Sequence, residues 1–245
     1  MKHMSRVFSG FSRRGRKLEG GGYKLALNFF VVALLILFSG SEAFAVTKTW
    51  VGGAGTGLDW RDGGNWDPSG APNTGDDVVF NTPGSLVFSY LPSAANESFG
   101  SLSILQGSVT LSRLSASKSY TIGGSAGTDL VVSSGATLTI GGNVNLILAT
   151  GSTGDISGTL NINNTRSLIL NSGSELTNSG VITITGGGTL TNNGTLNNTG
   201  TININVSTWN GNGILTVSST GTVNNSGTLI NSGAFSISGT VTSTG

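Results

Sequence analysis

The sequence predicts an all-β chain. The expected architecture is a parallel β-helix, or β-solenoid, with an N-terminal Trp-rich capping region, preceded by a signal-peptide helix. Three observations carry this. First, a glycine returns every six residues at Gly188, Gly194 and Gly200, and again at Gly221, Gly227, Gly233 and Gly239. One apolar side chain follows two residues after each: Leu190, Leu196, Ile202, then Val223, Leu229, Phe235 and Val241. Repetition at a short fixed period marks a solenoid. Second, apolar and polar residues alternate with period two through residues 100–157, as half-buried strands do, and no stretch beyond residue 45 has a 3.6-residue period. Third, the 245 residues include 40 glycines and only 9% charged residues. So little charge argues against a chain held open by self-repulsion, and the regular apolar spacing argues against a Gly/Ser linker.

Residues 1–45 read as a secretory signal peptide. Seven Lys or Arg residues stand against Glu19 and Glu42, and Leu25 to Phe38 is an almost wholly apolar run of fourteen residues. The small-x-small triplet Ala43-Phe44-Ala45 follows. Basic, apolar and small-residue segments in that order define a cleavable signal, so cleavage is expected after Ala45. The apolar run is short of the roughly 20 residues that span a bilayer; were it retained, it would be a membrane anchor. Residues 46–245 then carry five Lys or Arg against nine acids, a net of −4. Scattered cations on an acidic body exclude nucleic acid as a partner, because phosphate contacts need clustered Lys and Arg.

Residues 46–99 form the second expected domain. They hold Trp50, Trp60 and Trp66, and all four prolines: Pro68, Pro72, Pro83 and Pro92. Gly and Asp runs read as tight turns, and Val78-Val79-Phe80 and Leu86-Val87-Phe88 as short strands. The stretch from Thr49 to Phe80 resembles the Trp-rich module that opens many large bacterial secreted and cell-surface β-helix repeat proteins. Their pattern is W…NW…P…P…D-x-V-x-aliphatic, here Trp60, Asn65-Trp66, Pro68, Pro72, Asp76-Asp77, Val78-Val79 and Phe80. Filamentous adhesins and autotransporter passengers share the composition of the repeat body. The resemblance implies a β-helix behind the module and an adhesin-like or autotransporter-passenger-like role. On physical grounds this Trp-rich segment is expected to cap the solenoid, since an uncovered end exposes strand edges; the resemblance implies Trp60, Asn65, Trp66, Pro72 and Asp76 as the residues that build it.

Residues 100–245 are the expected solenoid. From Gly158 onward each unit is one short strand and one turn, with the Leu, Ile or Val pointing inward. Gly and Asn are read as turn residues because both tolerate positive φ. Three six-residue units would close a three-sided coil of eighteen, and about 20 residues per coil would give eight to ten coils. Val206 to Asn212, with its Trp209, reads as an insertion. The many Asn residues (Asn192, Asn198, Asn203, Asn224 among them) would stack into hydrogen-bonded ladders about 4.8 Å apart. The T-x-T pairs Thr137/Thr139, Thr183/Thr185, Thr189/Thr191 and Thr240/Thr242 follow from the strand preference of Thr.

The residues available for chemistry are few. His3, the one histidine, lies in the expected signal, and there is no Cys. That removes Ser-His-Asp and Cys-His arrangements and the usual zinc ligands. Beyond Phe99 the acids are Asp129, Asp155 and Glu175, too few for the carboxylate clusters of β-helix glycosidases. No enzyme activity and no cofactor are expected. Asp59, Asp62, Asp76 and Asp77 are weak Ca²⁺ candidates by ligand type, but they lack EF-hand or nonapeptide spacing and read as turn residues. The function expected is that of a non-catalytic exported surface protein, a stalk or adhesin secreted or held at the bacterial outer surface. Its partners would be polysaccharide or cell-surface ligands, with membrane contact only through residues 25–38 if the signal stays attached. The alternative is a carbohydrate-active β-helix protein that binds or degrades polysaccharide.

Overall fold

A computed structural model describes residues 45–52, 58–88, 97–114, 116–205 and 207–244. Residues 1–44 of the expected signal segment, Ala43 among them, lie outside the described residues, and Ala45 is exposed. Ala45–Gly245 is one compact unit, and it is a parallel β-solenoid of about seven turns.

Each turn presents three faces. The first coil uses one long strand, Asp77–Phe88, for two faces and Glu97–Phe99 for the third. The second coil does the same with Ser101–Leu111 and Lys118–Ile122. Each later coil has three separate strands, as in Glu175–Asn178, Val181–Ile184 and Thr189–Asn192 of the fifth. Because the two long strands run through both the first and second faces, those faces form one 16-stranded sheet; the third is a 7-stranded sheet. A partial eighth coil, Phe235–Ile237 and Thr240–Ser243, follows the seventh.

Register keeps one apolar column on each face. Leu102, Leu130, Gly154, Leu176, Leu196, Leu215 and Phe235 are paired in succession on the first. Leu138, Leu160, Ile182, Ile202, Val223 and Val241 do so on the second. Tyr120, Leu146, Leu168, Leu190, Trp209 and Leu229 do so on the third. A one-residue slip would turn a whole strand inside out, so burial of these columns fixes the register. Where Gly154 leaves space in its column, the Leu176 side chain of the next coil occupies it.

Three expectations need correction. The coil is longer than eighteen residues: Leu176, Leu196 and Leu215 are 20 and 19 residues apart. The excess lies at the corner between the second and third faces, where Thr185–Gly188 is a four-residue turn instead of two. There are seven full coils, not eight to ten, because the early ones are larger; Leu102 and Leu130 are 28 residues apart. And the stretch expected to be an insertion holds a regular strand. Thr208–Gly211 is an ordinary third-face strand in register with Thr189–Asn192, and Trp209 sits above Leu190.

The glycine repeat also has a different cause from the one expected. Gly180, Gly194, Gly200, Gly213, Gly233 and Gly239 are absent from the left-handed region, which Gly135, Gly151, Gly173 and others occupy. At each repeat glycine a Cβ would instead collide with a carbonyl oxygen of the preceding coil, as Gly180 would with Gly158 and Gly200 with Gly180. The corners stack so closely that only a residue without a side chain fits.

Candidate functional site

Of the residues expected in the cap, Trp60 and Trp66 come together in an aromatic cluster. Trp50, Trp60 and Trp66 pack with Phe80 and Phe88, with ring centroids 4.8–6.2 Å apart. Many of these contacts are edge-on, the arrangement that aromatic quadrupoles favour. Strand Thr47–Trp50 pairs in parallel with Asp77, Val78 and Val79, and antiparallel with Trp66-Asp67, so it forms a further layer beyond the first coil. Trp66 donates its indole N–H to the Trp60 carbonyl at 2.8 Å. Asn65, 1% exposed, donates through Nδ2 to the Asp59 carbonyl at 3.1 Å. Pro72 is buried. Lys48 is buried as well, and its ammonium donates to the carbonyls of Pro68 and Ser69 at 2.9 and 3.2 Å. Sequence reasoning missed Lys48, since nothing local to it signals a buried cation.

The four weak Ca²⁺ candidates are engaged in separate places. Asp59 pairs with Arg61 at 2.8 Å. Hydrogen bonds from the Arg61 side chain hold the Asp59 carboxyl below the ordinary aspartate range. Asp62 accepts from the Gly64 amide at 3.0 Å and caps the short 3-10 turn Gly63–Asn65. Asp76, nearly buried, accepts from the amides of Val46 at 3.0 Å and Asn73 at 2.8 Å, tying the outer strand to the first coil. Asp77 accepts from the Ser125 hydroxyl. Among the described residues no three His, Cys, Asp or Glu side chains gather as a metal site would require. Asp129 plays a similar structural part, accepting from the amides of Gly124, Ser125 and Thr153 at 3.2, 3.3 and 2.9 Å.

The outside of the second face is a regular surface. Its strands stay in unshifted register from Ser108 to Thr240. One outward rank reads Ser108, Thr137, Thr159, Val181, Thr201, Thr222 and Thr240. The other reads Thr110, Thr139, Asn161, Thr183, Asn203, Asn224 and Thr242. Neither rank contains a charged residue. Asn224 donates to Asn203 Oδ1 at 2.9 Å and Asn161 to Thr139 Oγ1 at 3.4 Å, so the ladder expected of the amides forms between these coils. Of the four T-x-T pairs, Thr137/Thr139 and Thr240/Thr242 lie on this face, Thr189/Thr191 lies on the third, and Thr185 follows the end of its strand. A polar cleft of about 80 Å³ opens at the corner beside the seventh coil, lined by Asn205, Asn224, Asn225, Ser226, Thr242 and Thr244.

The first face differs. It carries Asp155 and Glu175 outward on successive coils, and Glu175 accepts from Asn197 Nδ2 at 2.8 Å. Arg166, on the turn before a third-face strand, donates to the Ser117 hydroxyl at 2.6 Å. Asp155, Glu175 and Asp129 therefore sit in three different coils. Each accepts a hydrogen bond in the solenoid wall: Asp155 from Ser157, Glu175 from Asn197 and Asp129 from the Thr153 amide. No family model, curated protein or solved structure matches the chain.

Proposed function

We propose that this chain is a non-catalytic, exported surface protein: a solenoid stalk or adhesin whose second face contacts a neutral, hydroxyl-rich ligand such as a polysaccharide. The observation that carries the reading is the pair of outward Thr/Asn ranks, uncharged over seven coils and in constant register. Regular stacking places equivalent hydroxyl and amide groups about 4.8 Å apart along the axis. Such a surface is already ordered before binding, so contact costs little side-chain entropy. Each group contributes weakly, and affinity grows with the number of coils engaged. The basic and apolar order of residues 1–45 supports export.

Sedimentation with insoluble neutral polysaccharides tests the ligand. Thr159→Lys with Thr201→Lys should lower the bound fraction at least tenfold by placing charge on the face. Thr177→Lys, on the first face, should leave binding unchanged. Equal loss from both would remove the second face from the proposal. Antibody labelling of intact producing cells tests the location, and signal only after permeabilisation would reject surface exposure.

A further inference from the structure

We propose that the third face holds an internal water site between its fifth, sixth and seventh coils, built by Trp209, Asn231 and Asn192. The second inward position of this face runs Ile122, Leu148, Leu170, Asn192, Gly211, Asn231 in continuous register. The column is filled by aliphatic side chains until Asn192, and at Gly211 the side chain is withdrawn. Two residues earlier Trp209 takes the place that Leu190 and Leu229 hold in the neighbouring coils. The volume given up at Gly211 accommodates the indole, and it also brings polar atoms to face one another inside the core.

Among the described residues, five buried side-chain polar atoms have no hydrogen-bond partner within the protein. Three belong to this group: Trp209 Nε1, Asn231 Oδ1 and Asn192 Oδ1. Two of them converge, since a Cβ built on Gly211 would lie 2.9 Å from Asn231 Oδ1 and 3.0 Å from Trp209 Nε1. Asn192 is the residue paired with Gly211 from the coil before. The amide orientations are set by other bonds. Asn231 Nδ2 donates to the carbonyls of Gly233 and Ala234 at 3.1 and 3.2 Å, and Asn192 Nδ2 to the carbonyl of Ile214 at 2.9 Å. The atoms left over are therefore one N–H donor and two carbonyl acceptors.

That set selects its ligand. A cation would meet the positive edge of the indole N–H, and an anion would meet two carbonyl oxygens. A water molecule accepts from Trp209 and donates to both amides, using three bonds, the usual number for a buried water. Buried polar groups are satisfied in folded proteins by protein or by ordered water, and here the protein supplies no partner. The inference stands apart from the ligand proposed for the second face, because the site lies inside the coil.

The test is water-selective NOE spectroscopy on the ¹⁵N-labelled full chain, with the Trp209 indole resonance assigned through Trp209→Phe. The Trp209 Hε1 should show an NOE to long-lived water, and the Trp66 Hε1, which donates to Trp60, should show none. Gly211→Ala should abolish the Trp209 signal while its indole resonance stays dispersed. Absence of the NOE in the unaltered chain overturns the site, as does its persistence in Gly211→Ala. Should the alanine variant fail to fold, the comparison between Trp209 and Trp66 decides alone.

Discussion

A methyl group on Gly180 would meet the carbonyl oxygen of Gly158 in the coil before it, and that carbonyl already accepts the Val181 amide. Neither atom can move without breaking the ladder. Gly180→Ala should therefore cost about 2–3 kcal/mol, the upper range for overpacked sites. Gly151 is glycine for another reason: its φ is 78° and nothing lies near its Cβ position. Asn tolerates that region, so Gly151→Asn should cost no more than about 1 kcal/mol. Denaturant melts of the two variants separate the causes, and equal losses would return the repeat glycines to a conformational explanation. Asp59 offers a charge test at the same scale. Arg61 lowers its folded pKa, so the pair's stabilisation is present above the ordinary aspartate range and fades as pH falls through the folded value. The side chains are 28% and 54% exposed, and exposed pairs stabilise little, so the pKa itself is the quantity to follow. An NMR titration should place Asp59 below a free aspartate, and Arg61→Gln should raise its midpoint.

At the scale of a strand the interest lies in what points inward. On the first face the second inward column runs Val132, Ile156, Asn178, Asn198 and Val217. Asn178 donates to Asn198 Oδ1 at 2.7 Å inside the core, and Asn198 donates to the carbonyls of Gly200 and Thr222, both at 3.1 Å. Replacing Asn178 leaves Asn198 Oδ1 buried without its donor, and replacing Asn198 takes one of the two acceptors of Asn178 Nδ2, the other being the Thr201 carbonyl at 3.2 Å; such losses cost about 1–3 kcal/mol. Asn178→Val or Asn198→Val alone should fall in that range. The double variant, which continues the aliphatic column between Ile156 and Val217, should be more stable than either single one. A double-mutant cycle in thermal melts measures this, and strictly additive losses would show that the pair is not coupled. This column also marks the limit of the sequence reading. The alternation that put Leu176, Leu196 and Leu215 inside was legible because it is local. That the Asn two residues further on is also inside follows from the same period, but its polarity pointed outward. Trp209 was misread for a related reason: the register that seats it on Leu190 depends on a strand 19 residues away. The repeat glycines were visible as a period, yet the carbonyl that requires each belongs to the neighbouring coil. The burial of Trp50, Trp60 and Trp66 was legible in their density, because aromatic residues so close in sequence are buried together.

For the solenoid as a whole, stability is a sum over neighbouring coils, so opening follows position along the stack. The coils at the Trp-rich end have apolar columns that include Phe80, Phe88 and Phe99, with the further strand Thr47–Trp50 and the buried Trp50, Trp60 and Trp66 beside them. Further along, Asn192, Asn225 and Gly211 enter the inward columns. In the partial eighth coil the column residues Phe235, Ile237 and Val241 are 38%, 49% and 36% exposed. Fewer buried apolar contacts mean cheaper local opening. Amide hydrogen exchange should therefore be slowest through Leu138–Leu170, faster in Ile214–Asn231 and fastest in Phe235–Ser243. Trp66→Ala reverses part of that order. It removes a side chain that touches Trp50, Trp60 and Phe80, a loss of about 3–5 kcal/mol in a packed core. In a nearest-neighbour stack the loss stays near its origin. Exchange at Val78 and Phe80 should accelerate strongly, while Leu176 and Ile182, four coils away, stay protected to within a factor of two. Uniform acceleration along the whole stack would instead make the unit a single cooperative block, with the cap acting on all seven coils at once.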